Sequence, residues 1–90
     1  MEFKHDVQGH KFLTMVEGGE AHLLYRRKGD VFDLYATEVP PEARGKNVAD
    51  QLVREALKTA KQENAQVIAT CPYVKKWFEK HPEEKSILKH

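Results

Sequence analysis

The spacing of apolar residues changes abruptly at Pro40-Pro41. Before the two prolines, residues 31–39 alternate between apolar and polar positions, which predicts a β-strand. Neither proline can donate to a β-ladder, so the strand must end there. From Asn47 to about Asn64 the apolar residues recur at three-and-four spacing, which predicts an amphipathic helix. Its apolar face is expected to contain Val48, Ala49, Leu52, Val53, Ala56, Leu57 and Ala60.

The remaining segments complete a mixed α/β (α+β) fold with a sheet of about four strands, one long helix and one shorter helix. Apolar patterns predict the four strands at 11–17, 20–28, 31–39 and 66–71. Because the long helix separates the last two strands, they are expected to pair in parallel through a right-handed crossover. Pro72 suits the first turn of the second helix, which should continue to about Lys80.

Short sequence patterns predict a turn, the faces of a strand and the extent of the domain. Gly18-Gly19 is typical of a two-residue hairpin turn between the first two strands. In the third strand, strict alternation would place Phe32, Leu34 and Ala36 on one face and Asp33, Tyr35 and Thr37 on the other. Residues 1–90 are expected to form one domain, with residues 1–9 frayed and residues 83–88 in a terminal turn.

The composition narrows the classes of function. Fifteen Lys and Arg residues nearly balance fourteen Asp and Glu residues, and the net charge of +1 argues against nucleic-acid or membrane binding. A single cysteine excludes an intramolecular disulfide. No long apolar run or signal-peptide pattern is present, so a cytoplasmic location is expected. A monomer or weak dimer is also expected. No metal site is expected, because metal-ligand spacing is absent among His5, His10, His22, His81 and His90.

The loop between the third strand and the long helix is the strongest candidate site. The first amides of a helix have no partners within it, and the helix dipole favours negative charge at that end. Arg44 and Lys46 place two positive charges beside these amides. The sequence therefore predicts a phosphate-bearing ligand on this loop.

The residues of this loop also carry a family resemblance. Arg44-Gly45-Lys46-Asn47-Val48-Ala49 resembles the Arg/Gln-x-x-Gly-x-Gly/Ala motif of the GNAT superfamily of acyl-coenzyme A-dependent N-acetyltransferases, with Asn47 in place of the central glycine. The segments Thr37-Glu38-Val39-Pro40, Cys71-Pro72-Tyr73-Val74 and His81-Pro82-Glu83 are similar to a small single-domain branch of that superfamily. Compared with a full domain of that superfamily, this sequence is shorter and lacks the helices that usually follow the first strand and also the last strands. Those parts normally help to shape the acceptor pocket, so the resemblance does not indicate an acceptor.

The resemblance implies a binding mode for acetyl-coenzyme A. The amides of residues 45–49 (Gly45, Lys46, Asn47, Val48 and Ala49) would hold the pyrophosphate, and Arg44 and Lys46 would add charge. The backbone of Val39 would pair with the pantetheine arm where the two parallel strands separate. The alternative is an ordinary loop in which the Asn47 side chain caps the helix, with Asp50 three residues on as a variant capping box.

Three residues are candidates for the chemistry. Cys71 should lie where the last strand ends and the second helix begins, and it could accept the acyl group before an amine does. For direct transfer, Glu38 could act as the general base and Tyr73 could protonate the departing thiolate. The structural alternatives are a buried small thiol at Cys71, an exposed strand-end carboxylate at Glu38 and a packing aromatic at Tyr73.

Two hypotheses follow, with a third that the charge disfavours. The first is an N-acetyltransferase that moves an acetyl group from acetyl-coenzyme A to an amine, either a protein lysine or a small amine. The second is a module that binds coenzyme A or acyl-coenzyme A without turnover. The third is an interaction domain whose basic clusters at 26–28 and 75–76 contact nucleic acid, which the near-neutral charge opposes.

Overall fold

A computed structural model describes residues 2–89 as one five-stranded sheet with two α-helices on one face. The strands lie in sequence order across the sheet; β1 to β4 are antiparallel, and β4 and β5 are parallel. The predicted fold class and parallel crossover are confirmed. The elements are β1 (Lys4–Asp6), β2 (Lys11–Val16), β3 (Gly19–Lys28), β4 (Val31–Glu38), α1 (Val48–Gln62), β5 (Gln66–Ala69) and α2 (Pro72–Lys80).

The predicted count of about four strands is one short, because β1 forms within residues 1–9, which the sequence predicts to be frayed. Its sequence is polar, so no apolar alternation marks it as a strand. Contacts to the neighbouring strands define it instead. The His5 ring stacks on Phe12 with centroids 4.2 Å apart, and His5 Nε2 shares a hydrogen bond of 2.6 Å with the Tyr25 hydroxyl. The Thr14 hydroxyl donates to the Glu2 carbonyl at 2.6 Å.

The turn between β2 and β3 lies one residue earlier than the glycine pair predicts. Val16 pairs with Gly19 across the ladder, so Glu17 and Gly18 form the two-residue connection and Gly19 already belongs to β3. The register then places Ala21, Leu23 and Tyr25 on the buried face, as the alternation of this strand predicts.

The helix α1 covers the centre of the sheet and supplies much of the core. It ends at Gln62, two residues before the predicted end. Of the predicted apolar face only Ala49 remains partly exposed; the other six side chains are buried with residues of the sheet and α2. Leu52 and Val53 are completely buried, and burial on this scale stabilises a fold by roughly 1.5–3 kcal/mol per large aliphatic side chain.

A β-bulge interrupts β4 at Tyr35. Leu34 pairs with Tyr25 and Ala36 pairs with Leu24, so Tyr35 has no partner on β3. The extra residue reverses the alternation beyond this point. Thr37 therefore pairs with the buried Leu23 and lies on the helix-covered face. The predicted placement of Ala36 with Phe32 and Leu34, and of Thr37 opposite them, is wrong for this reason.

The C-terminal part of the chain returns to the free side of β5. A 3₁₀ turn spans Pro82–Ile87, which confirms the predicted terminal turn. After it, Leu88 forms a parallel bridge with Val67, and the Lys89 amide donates to the Val67 carbonyl at 2.9 Å. Within residues 2–89, neither helix has the length and apolar character needed to cross a bilayer.

Candidate functional site

A cleft of about 220 Å³ opens where β4 ends and α1 and α2 begin. A 3₁₀ turn at Pro41–Ala43 carries the chain from β4 toward the loop that precedes α1. Every predicted binding residue except Lys46 lines the cleft, and Tyr73 joins them from the first turn of α2. The full lining is Val39, Ala43, Arg44, Gly45, Asn47, Val48, Ala49, Asp50 and Tyr73.

The loop backbone leaves a row of amides without acceptors. Gly45 has φ of +83°, and Asn47 is left-handed with φ 59° and ψ 24°. Asn47 occupies the N-cap position, as predicted, but its side chain makes no capping hydrogen bond. Among residues 2–89, the amides of residues 45–50 have no hydrogen-bond acceptor, and the helical ladder starts only with Gln51 donating to the Asn47 carbonyl. Such a row at the positive end of a helix can bind an anion.

The two basic residues of the loop are placed differently. Arg44 lines the cleft, and its Nε donates to the Val39 carbonyl at 3.3 Å, which ties the loop to the end of β4. Lys46 lies outside the cleft, where its ammonium group is 3.8 Å from the Glu17 carboxylate and both side chains are mostly exposed. An exposed pair of this kind contributes little to stability and leaves Lys46 available to a second anion.

Asp50 joins the two helices beside the cleft instead of capping α1. Its carboxylate accepts hydrogen bonds from Trp77 Nε1 at 2.7 Å and from Arg54 Nε at 2.9 Å. Burial alone would raise the pKa of the Asp50 carboxyl, but the hydrogen bonds from Trp77 and Arg54 outweigh it and lower the pKa. His81 stacks on Trp77 with centroids 4.1 Å apart and extends this connection to the end of α2.

The parallel strands separate beyond Leu34. The Leu34 carbonyl accepts hydrogen bonds from both Thr70 and Cys71, at 3.0 and 2.9 Å, and β5 then gives way to α2. From the bulge to Glu38, β4 pairs with β3 alone within the described chain. The other edge of this segment therefore lies open toward α2. An extended ligand can add to such an edge through backbone hydrogen bonds.

Cys71 lies at this point of separation, where the sequence predicts it. It is the N-cap of α2, and only 5% of its surface is exposed. Its Sγ lies 3.5 Å from the Thr37 hydroxyl, the one hydrogen-bond partner of the thiol among residues 2–89. Cys71 does not line the cleft, so the thiol lies beneath the open edge of β4 and apart from the loop.

Tyr73 and Glu38 flank the same region from different sides. Tyr73 is 39% exposed, and burial, with lesser contributions from Asp50 and Cys71, raises the pKa of its hydroxyl. Glu38 is at the last position of β4, with a side chain 78% exposed, and it does not line the cleft. The bulge directs Glu38 to the uncovered face of the sheet, where its carboxylate lies 4.0 Å from His22 Nε2.

The sequence does not predict the contacts that Thr37 and Asp50 make beside the site. The displaced register that brings Thr37 to Cys71 has no local sequence signal. Asp50 looked like part of a capping box, and its partner Trp77 is 27 residues away. Within residues 2–89, no group of three or more His, Cys, Asp or Glu side chains could hold a metal ion.

A family sequence model and relatives of known sequence both match most of this chain. The sequence model of the family described as GCN5-related N-acetyl-transferase matches residues 11–87. Protein NATD1 of Mus musculus is 34% identical over 82 residues, covering 88% of this chain and 74% of that protein. Protein NATD1 of Danio rerio is 31% identical over 85 residues, covering 91% of this chain and 77% of that protein.

A solved structure supports the fold. The solution NMR structure of a GCN5-like protein from Staphylococcus aureus superposes with a TM-score of 0.77, covering 98% of this chain and 87% of that chain. The sequence identity of 23% makes this likeness one of fold alone. The family match extends over both β4 and β5, the loop and both helices of the candidate site. The chain belongs to the GCN5-related N-acetyltransferase family.

Proposed function

We propose that the chain is an acetyl-coenzyme A-dependent N-acetyltransferase that acts on an amine. The observation that carries the proposal is the row of free amides at residues 45–50, which lies beside the open edge of β4. A thioester of coenzyme A needs both features, because its pyrophosphate is an anion and its pantetheine arm carries amides that can pair with a strand. Membership of an acetyltransferase family supports the same reading.

The loop residues divide the binding of the coenzyme between them. The amides of Gly45, Lys46, Asn47, Val48 and Ala49 donate to the pyrophosphate, and hydrogen bonds to a charged group are worth about 1.5–3 kcal/mol each. Arg44 lines the cleft and adds a positive charge. The Asn47 side chain makes no capping hydrogen bond, which supports this assignment because the side chain then leaves these amides to the ligand.

The pantetheine arm then extends along β4. The Val39 carbonyl accepts a hydrogen bond from Arg44 Nε at 3.3 Å. This is a long and therefore weak hydrogen bond, so an amide of the ligand can replace it. Beyond Val39, the open edge between the bulge and Glu38 leads toward Thr37 and Cys71. This direction brings the thioester to the point where β4 and β5 separate.

Two routes of transfer use the residues at that point. In the covalent route, Cys71 Sγ attacks the thioester carbonyl and its proton ends on the coenzyme A sulfur; the acetyl group then passes to the amine. In the direct route, the amine attacks the thioester itself. Burial raises the pKa of the Tyr73 hydroxyl, so this group stays protonated. In either route Tyr73 acts as a relay: it gives its proton to the leaving sulfur and takes up the proton released by the Cys71 thiol or by the attacking amine.

A module that binds coenzyme A without turnover is the second candidate. The observation in its favour is the environment of Cys71. Only 5% of this residue is exposed, and its thiol contacts the neutral Thr37 hydroxyl. A thiol is activated for attack by a base, a positive charge or a helix N-terminus beside it, and of these Cys71 has the N-terminus of α2. For the enzyme, the acceptor is either a protein lysine or a small amine. The cytoplasmic location and the monomeric or weakly dimeric state of the protein stay predictions.

An amide-resolved NMR titration tests the proposal. Acetyl-coenzyme A should shift the signals of residues 39–49 and 71–74, whereas pantetheine, which lacks the pyrophosphate, should leave the amides of residues 45–49 nearly unchanged. Intact mass then separates the routes, because an acetyl adduct that disappears in Cys71→Ala supports the covalent one. Binding without acetylation of any amine in a screen supports the second candidate. Absence of shifts at millimolar ligand contradicts both.

A further inference from the structure

The face of the sheet opposite the helices carries one connected group of charged side chains. Lys11 on β2, Glu20 and His22 on β3 and Glu38 on β4 form this group, which we name the outer-face row. Lys11 Nζ lies 2.8 Å from Glu20 Oε2, and the same oxygen lies 3.0 Å from His22 Nδ1. Within residues 2–89 no helix packs on this face; the Glu38 side chain is 78% exposed, whereas those of Lys11, Glu20 and His22 are partly covered by their neighbours on the sheet.

The contacts of His22 define the role of each ring nitrogen. Glu20 accepts the hydrogen bond from Nδ1, which assigns the proton of the neutral ring to Nδ1 and the lone pair to Nε2. Lys11 holds Glu20 in its ionised form, because its hydrogen bond lowers the pKa of that carboxyl. The Nε2 atom faces the Glu38 carboxylate at 4.0 Å, a separation that leaves space for a bridging group.

The row ends on β4, the strand whose open edge is the proposed position of the thioester. Thr37 and Glu38 are consecutive in β4 and therefore point to opposite faces of the sheet. On the inner face, the Thr37 hydroxyl meets Cys71 Sγ at 3.5 Å. On the outer face, Glu38 meets His22. The Glu38–His22 pair lies on the β3 side of β4, and the open edge lies on the other side of the same strand end, so an amine that enters over the outer face must pass the end of β4 to reach an acyl group on that edge.

We propose that His22 is the general base for an amine acceptor that enters across the outer face, and that Glu38 holds the acceptor as its ammonium ion. The proposal rests on the proposed function. Nε2 removes one proton from the ammonium, and the freed amine attacks the thioester carbonyl. The carbon–sulfur bond breaks, the second nitrogen proton passes to the leaving sulfur, and His22 returns its proton to solvent.

The charges of the row define the chemical class of the acceptor. Glu20 is already paired with Lys11, whereas the exposed Glu38 has only the distant imidazole as a partner among the described residues. A primary ammonium fits between Glu38 and Nε2, because the carboxylate attracts it and the imidazole can take its proton. A lysine side chain provides this group at the end of a long apolar stem.

A bisubstrate probe tests the direction of approach without requiring turnover. Coenzyme A joined through an acetyl bridge to the side-chain nitrogen of Nα-acetyl-lysine amide is compared with coenzyme A alone by NMR. The probe should add shifts at His22, Leu24 and Ala36 to those at residues 39–49. Extra shifts confined to α2 would overturn the inference while retaining coenzyme binding. Absence of shifts for coenzyme A itself would instead overturn the proposed function.

Kinetics then test the role of His22 as a base. With Nα-acetyl-lysine amide and acetyl-coenzyme A, His22→Gln should lower kcat about 10²- to 10⁴-fold near neutral pH and leave coenzyme A affinity unchanged. The deficit should shrink toward about pH 9.5, where more of the amine is already neutral. The charged groups that face His22 are Lys11, Glu20 and Glu38, so Glu20→Gln should show a smaller deficit of the same kind.

A matched histidine controls for general effects. His10 lies in the turn between β1 and β2, outside the outer-face row, and His10→Asn suits its left-handed backbone, with φ of 55°. This variant should acetylate the amine like the parent protein. Three results would each overturn the assignment. The first is a deficit in His22→Gln that does not change with pH, and the second is an equal loss in His10→Asn. The third is a parent protein that binds coenzyme A but does not acetylate the amine.

Discussion

Gly45 gives the sharpest test of the loop, because its backbone conformation is one that other residues avoid. Its φ of +83° is left-handed, and no atom lies within 4 Å of a Cβ added there. Gly45→Ala therefore creates no collision, and its whole effect comes from the backbone. An L-residue held at positive φ carries about 1–2 kcal/mol of strain. Since nothing packs on this residue, we expect the free loop to relax and to turn its amides away from the cleft.

The strain sets the size of the expected effect. Binding coenzyme A must restore the original loop, so the alanine variant loses up to the strain energy in affinity. A loss of about 1–2 kcal/mol corresponds to roughly 5- to 30-fold weaker binding. The free energy of unfolding should fall by no more than the same amount, because relaxation removes part of the strain from the folded state.

A second glycine provides the matched control. Gly29, in the turn between β3 and β4, also has positive φ, at +56°, and open space around an added Cβ. It lies at the opposite end of β4 from the loop. Gly29→Ala should lower stability similarly and leave the affinity unchanged. Calorimetric titration with coenzyme A and thermal unfolding of both variants measure the two effects. Unchanged affinity in Gly45→Ala, or equal weakening in Gly29→Ala, would refute the assignment of the loop.

Three further substitutions separate chemistry, pH dependence and folding. Cys71→Ala should retain coenzyme A binding and lose any acetyl adduct seen by intact mass; a collapse of affinity would make Cys71 a structural residue or a direct contact. Burial lowers the pKa of His5 below its ordinary 6.5. The stability that the neutral ring contributes is therefore present above about pH 6.5, and it is lost as the pH falls through the lowered pKa. His5→Gln should flatten this acid loss in urea titrations at several pH values, and an unchanged slope would contradict the reasoning. Leu52 is completely buried, so Leu52→Asp should abolish cooperative unfolding in circular dichroism, and a folded variant would mean that the core is misplaced.

The sequence predicts those parts of the fold that local periodicity controls. The face of α1 repeats at three-and-four spacing through Leu52, Val53, Ala56 and Leu57, and all four side chains are buried. The strand β1 has no such pattern. It is held to β2 by contacts between strands, such as the stack of the His5 ring on Phe12, which no local window contains.

The candidate site also has parts that the local sequence predicts and parts that depend on packing between distant residues. The backbone of the candidate loop could be predicted, because Gly45 and Asn47 both permit left-handed backbone and the α1 helix follows directly. The bond between Asp50 and Trp77 could not be predicted, since it depends on how α2 packs against α1. For the same reason Asp50 resembled a cap in the sequence, although its carboxylate serves the contact between helices.

The bulge at Tyr35 has the largest consequence that alternation alone could not reveal. One extra residue in β4 reverses which side chains face the helices, and it does so just where the pairing with β5 ends. Thr37 consequently reaches Cys71 on the inner face, and Glu38 reaches His22 on the outer face. If β4 alternated without the bulge, Thr37 would point outward and Glu38 inward, and Glu38 would lie on the opposite side of the sheet from His22. The chemistry that we propose at the strand end therefore depends on this irregularity of the backbone as much as on the residues of the loop.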